Sequence, residues 1–106
     1  MTASLQILAP DGKLVGKAPK HSDDELTSLF VHMLRIRCLD GRMLKLQRAG
    51  RVGFVGTATG LEGTLVGAAA PLRSTAWLWS GLREGGAAVM RGLPLSEYVA
   101  QMYCNA

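Results

Sequence analysis

The sequence predicts a mainly helical chain, and three observations carry that prediction. Ser22-Asp23-Asp24-Glu25 has the form of a helix start, Thr59-Gly60-Leu61-Glu62 has the same form, and Pro94 precedes a third run from Leu95 to about Tyr103. In the first two, the leading hydroxyl accepts from the amide three residues on, and the glutamate reaches back to the leading amide. Proline suits a helix start because the amide it lacks would find no partner there.

Residues 1–21 read as a polar, partly extended lead-in. Leu5-Gln6-Ile7-Leu8 and Lys13-Leu14-Val15 flank Ala9-Pro10-Asp11-Gly12, so a short hairpin is expected. Proline presets φ in such a turn and glycine supplies a positive φ. From Ser22 a helix over about 23–49 follows, with Leu26, Leu29, Phe30, Met33 and Leu34 forming one apolar stripe. Cys38, Met43, Leu44 and Leu46 prolong it, Gly41 is expected to loosen its middle, and Gly50 stops it. Cys38 is expected to be a small buried hydrophobe. At about 1.5 Å per residue the helix is roughly 40 Å long. The rest of so short a chain is not expected to cover it, so partners outside the chain are anticipated.

Residues 50–58 hold Gly50, Gly53 and Gly56 around Phe54 and Val55, which predicts a loop or bulged extended segment. The helix opened by Thr59 is expected to reach Ala70, with Gly60, Gly63, Gly67 and Ala68 making a small surface for close helix approach. Ala76-Trp77-Leu78-Trp79 reads as a short strand-like run. Ser80 is then expected to cap a helix over about 82–91, with Gly92 after it.

Composition sets the limits. A chain of 106 residues is one domain or a piece of one, and 48% apolar residues exclude a disordered type. Small size and thirteen glycines predict poor stability in isolation. The formal charge of +4 is scattered, with a loose cluster at Arg35, Arg37, Arg42, Lys45, Arg48 and Arg51. That pattern favours a solvated helix face or one facing an acidic partner, and nucleic-acid binding ranks last. Cys38 and Cys104 have neither CxxC nor metal-ligand spacing, which fits a reducing, cytoplasmic setting. Met1–Leu8 is not a secretory signal. No apolar run approaches the roughly 20 residues that span a bilayer.

A search for chemistry finds no complete catalytic set. His21 adjoins a helix start and His32 lies beside the apolar stripe, where a structural role is expected. HExxH, GxSxG and P-loop patterns are absent. Gly81-Leu82-Arg83-Glu84-Gly85-Gly86 is a weak phosphate candidate, because Gly85 and Gly86 fall inside an expected helix. Arg83 reads here as a surface arginine paired with Glu84 or Glu97. Phe54 reads as core packing, and Glu62 chiefly as a helix cap.

Specific runs add a resemblance that covers most of the chain, from about Leu5 to Ala106. Gln47-Arg48-Ala49-Gly50-Arg51-Val52, Gly60-Leu61-Glu62-Gly63-Thr64, Val66-Gly67-Ala68-Ala69-Ala70, Trp79-Ser80-Gly81-Leu82-Arg83-Glu84 and Arg91-Gly92-Leu93-Pro94-Leu95 carry it. Together they resemble the amino-terminal part of the alpha subunit of thiamine-diphosphate-dependent 2-oxo acid dehydrogenases. The likeness is greatest to the branched-chain, 2-oxoisovalerate type.

The resemblance implies the helical amino-terminal segment of an α/β thiamine-diphosphate-binding fold, with a lead-in at 1–21 and the subunit portion at 22–106. It implies oxidative decarboxylation of a branched-chain 2-oxo acid, with the acyl group passing to a lipoyl acyltransferase component. A dehydrogenase beta subunit would complete the site in a heterotetramer. The implied cofactor is thiamine diphosphate with Mg²⁺. A tyrosine-arginine pair that contacts the diphosphate in the family maps to Leu82 and Arg83, and a phenylalanine of the substrate pocket maps to Phe54. Leu82 departs from that pattern, since leucine has no hydroxyl to donate. The family's Gly-Asp-Gly segment and later asparagine do not occur here in that arrangement, and the downstream histidines are missing. The chain is therefore expected to be an interrupted amino-terminal portion, inactive alone. A small helical interaction module docking through the 23–49 helix is the alternative.

Overall fold

A computed structural model describes residues 5–105. Among them the chain forms four helices and no strand: α1 (Asp23–Arg48), α2 (Glu62–Ala69), α3 (Gly85–Met90) and α4 (Leu95–Met102). The mainly helical class is as the sequence predicts. Helix α2 packs on α1, α3 packs on α2, and α4 rests on α3.

The predicted hairpin is present in reduced form. Leu8 and Leu14 make an isolated antiparallel bridge, the Val15 amide donates to Ile7, and Gly12 turns the chain at a φ of +83°. Helix α1 begins as its sequence requires: the Glu25 amide donates to Ser22 Oγ at 3.2 Å and the Ser22 amide donates to Glu25 Oε2 at 2.8 Å. Three acidic residues in this first turn complement the positive end of the helix dipole, and Lys45 and Arg48 complement the other end. Gly50, at a φ of +69°, turns the chain out of the helix. Gly41 does not loosen the middle. It is exposed on an unbroken helix, where a missing side chain costs little packing.

Two clusters make the core. Ile36, Ala58, Leu65 and Val66 form one, with Leu29, Met33 and Met90 packed against it. Met43, Val52 and Val55 form the other, joined by Leu39, Leu46, Val99 and Met102. Both depend on the 52–58 loop folding back along the second half of α1. Cys38 is exposed, not buried: it lies on the side of α1 turned away from Ile36, Asp40 and Met43.

Three expectations about helix starts and packing are corrected. Thr59 does not cap α2, which starts later, with Leu61 at its cap position and no side-chain cap bond. Thr59 is drawn instead to Asp40. Ser80 does not cap α3 either, since the chain is still irregular there and Glu84 takes the cap position. The small residues of α2 do not form the close helix contact: Gly67 meets nothing and Gly63 only the Met33 sulfur. Gly86 on α3 makes it, since a methyl group there would sit 2.7 Å from Ile36 Cδ1. The strand-like run Ala76–Trp79 forms no strand among the described residues: it opens on a bend and continues as irregular chain.

Candidate functional site

The polar centre of the molecule is built where α1 meets the 56–62 loop. Arg37 and Asp40 lie one helical turn apart on α1. Asp40 is buried among apolar neighbours, so its charge requires donors. The loop supplies them: Thr57 Oγ1 at 2.7 Å, the Ala58 amide at 2.6 Å and Thr59 Oγ1 at 3.1 Å all donate to Asp40 Oδ2. Charge-assisted bonds of this kind are stronger than neutral ones, so Asp40 sets the course of the loop.

Glu62 lies beside this network at the start of α2. Its carboxylate accepts from Arg37 Nε and from the Gly60 amide, the latter at 2.9 Å. The Arg37 bond and the Gly60 amide outweigh burial and hold the Glu62 carboxyl down to about 2. The same bond pushes the Arg37 guanidinium further up. Glu62 thus does more than cap a helix: it ties α2 to α1. Its side chain is 7% exposed, while that of Arg37 is 56% exposed, so the pair sits at the rim of the core.

The 77–84 segment reaches the same loop from the other side. Arg83 Nη1 donates to the Thr57 carbonyl at 2.7 Å. Arg83 is exposed, as the surface reading has it, but its guanidinium is paired with neither Glu84 nor Glu97. Glu84 instead accepts from the Arg83 main-chain amide at 3.2 Å. Backbone approach is tight here, since a methyl group at Gly56 would lie 2.7 Å from the Leu82 carbonyl. The Leu82 side chain is exposed and borders an open cleft of about 390 Å³, lined also by Ser80, Gly81, Tyr98, Gln101 and Met102. Burial, then the nearby Asp40 charge, raises the Tyr98 hydroxyl above its usual range.

Phe54 lies on the same loop as Thr57 and is 57% exposed. It is therefore not a core residue, and of its two sequence readings the packing one is lost. The site is thus assembled from Arg37, Asp40, Thr57, Glu62 and Arg83. Sequence reasoning overlooked Arg37 and Asp40. A usable signal existed: Asp40 falls at the helical spacing of Ile36 and Met43, a core position that a lone carboxylate occupies only with dedicated donors.

Comparison with known proteins identifies the class to which this mainly helical segment belongs. Residues 31–106 match the family described as Dehydrogenase E1 component, and the chain belongs to that family. It is 36% identical over 96 residues to the pyruvate dehydrogenase E1 component subunit alpha of Bacillus cereus, covering 89% of this chain and 26% of that protein. It is 37% identical over 93 residues to the 3-methyl-2-oxobutanoate dehydrogenase subunit alpha of Mycobacterium tuberculosis (strain CDC 1551 / Oshkosh), covering 85% of this chain and 25% of the relative. Identity to the human mitochondrial 2-oxoisovalerate dehydrogenase subunit alpha is 30% over 102 residues, covering 94% and 23%. The chain thus spans about a quarter of the length of these curated relatives. No solved structure matches it. No helix among the described residues is long and apolar enough to cross a membrane.

Proposed function

We propose that this chain is an amino-terminal portion of the alpha subunit of a branched-chain 2-oxo acid dehydrogenase, and that it supplies Arg83 to the diphosphate of thiamine diphosphate. The observation that supports this best is the anchoring of Arg83 on Thr57, which orients the guanidinium and leaves further N–H groups to donate. A planar, permanently charged fork suits diphosphate oxygens. Leu82 adds shape beside it but no hydrogen bond. Phe54, exposed on the same loop, serves as a wall of the substrate pocket. The bound cofactor supplies the decarboxylation chemistry, and this chain binds and orients it.

The residues fit the diphosphate in part and the metal not at all. Among the described residues no three His, Cys, Asp or Glu side chains converge where a cation would sit. Mg²⁺ needs near-octahedral oxygen ligands, so its ligands come from outside these residues. A beta subunit completes the site, and a lipoyl acyltransferase component receives the acyl group. The chain alone is inactive in this reading, and its setting is the cytoplasm.

Calorimetric titration of thiamine diphosphate with Mg²⁺ tests this, on the chain with and without a dehydrogenase beta subunit. Heat only with the beta subunit, abolished by Arg83→Met, is the expected result. Absence of heat in both mixtures would overturn the cofactor reading. A second reading, an interaction module using α1, is favoured by one observation: Leu26, Phe30 and Leu34 are 49%, 59% and 49% exposed along one side of that helix. Beta-subunit binding without cofactor heat would select it.

A further inference from the structure

Arg91 takes no part in the site described above, yet it makes more hydrogen bonds than any other side chain among the described residues. Its Nη2 donates to the carbonyls of Arg73 at 3.0 Å, Ser74 at 3.2 Å and Ala76 at 2.7 Å, and its Nη1 donates to that of Leu72 at 3.4 Å. These carbonyls lie just beyond the carboxy-terminal end of α2, where the helix dipole is negative. Helix α2 has no basic residue in its own last turn. The cation therefore comes from α3, whose last turn delivers Arg91 through an Arg91 amide to Ala87 carbonyl bond of 3.1 Å.

The clamp stands where the irregular 77–84 segment begins. The Ala76 amide closes a turn onto the Arg73 carbonyl at 2.9 Å, and the Ala76 carbonyl accepts from Arg91. Beyond it, the amides of Trp77, Leu78 and Trp79 form no main-chain hydrogen bond among the described residues. The two indoles project to the same side, 85% and 88% exposed, and stack at a centroid distance of 6.1 Å with planes 15° apart. Such exposed rings are not held by a core. Their alignment depends on the course of the segment that carries them, which brings the side chains of Trp77 and Trp79 together. The segment is anchored at its start by Arg91 and at its end by Arg83 on Thr57.

We propose that Arg91 is a positioning residue: it gathers the carbonyls that follow α2 and thereby sets the course of the segment that ends in Arg83. The link to cofactor binding rests on the reading of Arg83 given above, whereas the geometric role does not. Lysine cannot reproduce it fully, since a point ammonium on a flexible stem lacks the fork that spans several carbonyls.

The test uses the stacked tryptophans as a reporter. Two stacked indoles give a coupled signal in circular dichroism that is separate from the helix signal. Arg91→Met is expected to lose most of the indole signal while keeping the helix signal, and Arg91→Lys to keep part of both. With the beta subunit present, Arg91→Met is expected to weaken thiamine diphosphate binding about tenfold. Arg83→Met should abolish binding while keeping more of the indole signal than Arg91→Met, since Arg91 still holds the start of the segment. An unchanged indole signal in Arg91→Met overturns the proposal. Joint loss of helix and indole signals in both Arg91 variants also overturns it, because Arg91 would then hold the whole fold and not this segment. Failure of the wild-type chain to bind the cofactor counts against the diphosphate reading alone, and the indole signal still decides the role of Arg91.

Discussion

The two halves of α1 share one helix and much the same apolar content, yet they have opposite surroundings. In the first half Leu26, Phe30 and Leu34 face outward, and only Leu29 and Met33 turn toward the core. In the second half Ile36, Asp40 and Met43 are buried beneath α2, α3 and the 52–58 loop. The difference is not in the helix. It lies in where the chain returns: Gly50 reverses its direction, so the following loop runs back over the second half. The first half keeps an open groove of about 260 Å³ beside α2, lined by Phe30, Met33, Leu34, Arg37, Glu62 and Gly63. A helix longer than its own cover is what the sequence anticipated, and here the uncovered stretch is defined.

The largest effect should come from the covered half. Ile36→Ala is expected to cost about 2–4 kcal/mol by leaving a cavity in the first cluster. In so small a chain, expected to be poorly stable alone, that is enough to leave it largely unfolded, with loss of the helix signal in circular dichroism. A cost close to that of Leu34→Ala, which should stay within about 0.5 kcal/mol, would erase the contrast between the halves.

Next comes the closest approach of α3 to α1. Gly86→Ala places a methyl group 2.7 Å from Ile36 Cδ1 and 2.8 Å from its Cγ1. It should destabilise by about 1–3 kcal/mol through overpacking, outweighing any gain in helix propensity. Stabilisation in urea titration would show that Ile36 moves aside freely.

The Arg37–Glu62 link should show in pH dependence. The Glu62 carboxyl is held at about 2 instead of 4.5. A depressed folded-state value means that its stabilisation is fully present above the unfolded value and is lost as pH falls from about 4.5 towards 2. Glu62→Gln should therefore cost about 1–3 kcal/mol at neutral pH, with the gap to wild type closing over that acid range. A gap independent of pH would mean that the carboxylate charge does not matter.

The smallest effect is expected at the open end of α1. Ser22→Ala removes the cap and should cost about 1 kcal/mol. It should appear as faster amide exchange in residues 23–30 with exchange in 36–46 unchanged. Equal acceleration along the whole helix would show that the two halves open together.

The sequence alone determined that α1 exists, where it starts and where it stops. Its capping box, apolar spacing and Gly50 are local signals, set by residues within a few positions of one another and not by distant contacts. It also determined the family, because the runs around Gly60–Thr64 and Leu82–Glu84 are specific. Tertiary structure decided which of the apolar residues are covered, why Cys38 is exposed, and why Thr59 leaves its capping role for the buried Asp40. It also decided which partners Arg37, Arg83 and Arg91 take. The reason is physical: a buried carboxylate or a long guanidinium is satisfied by groups distant in sequence, and only the folded chain brings those groups together.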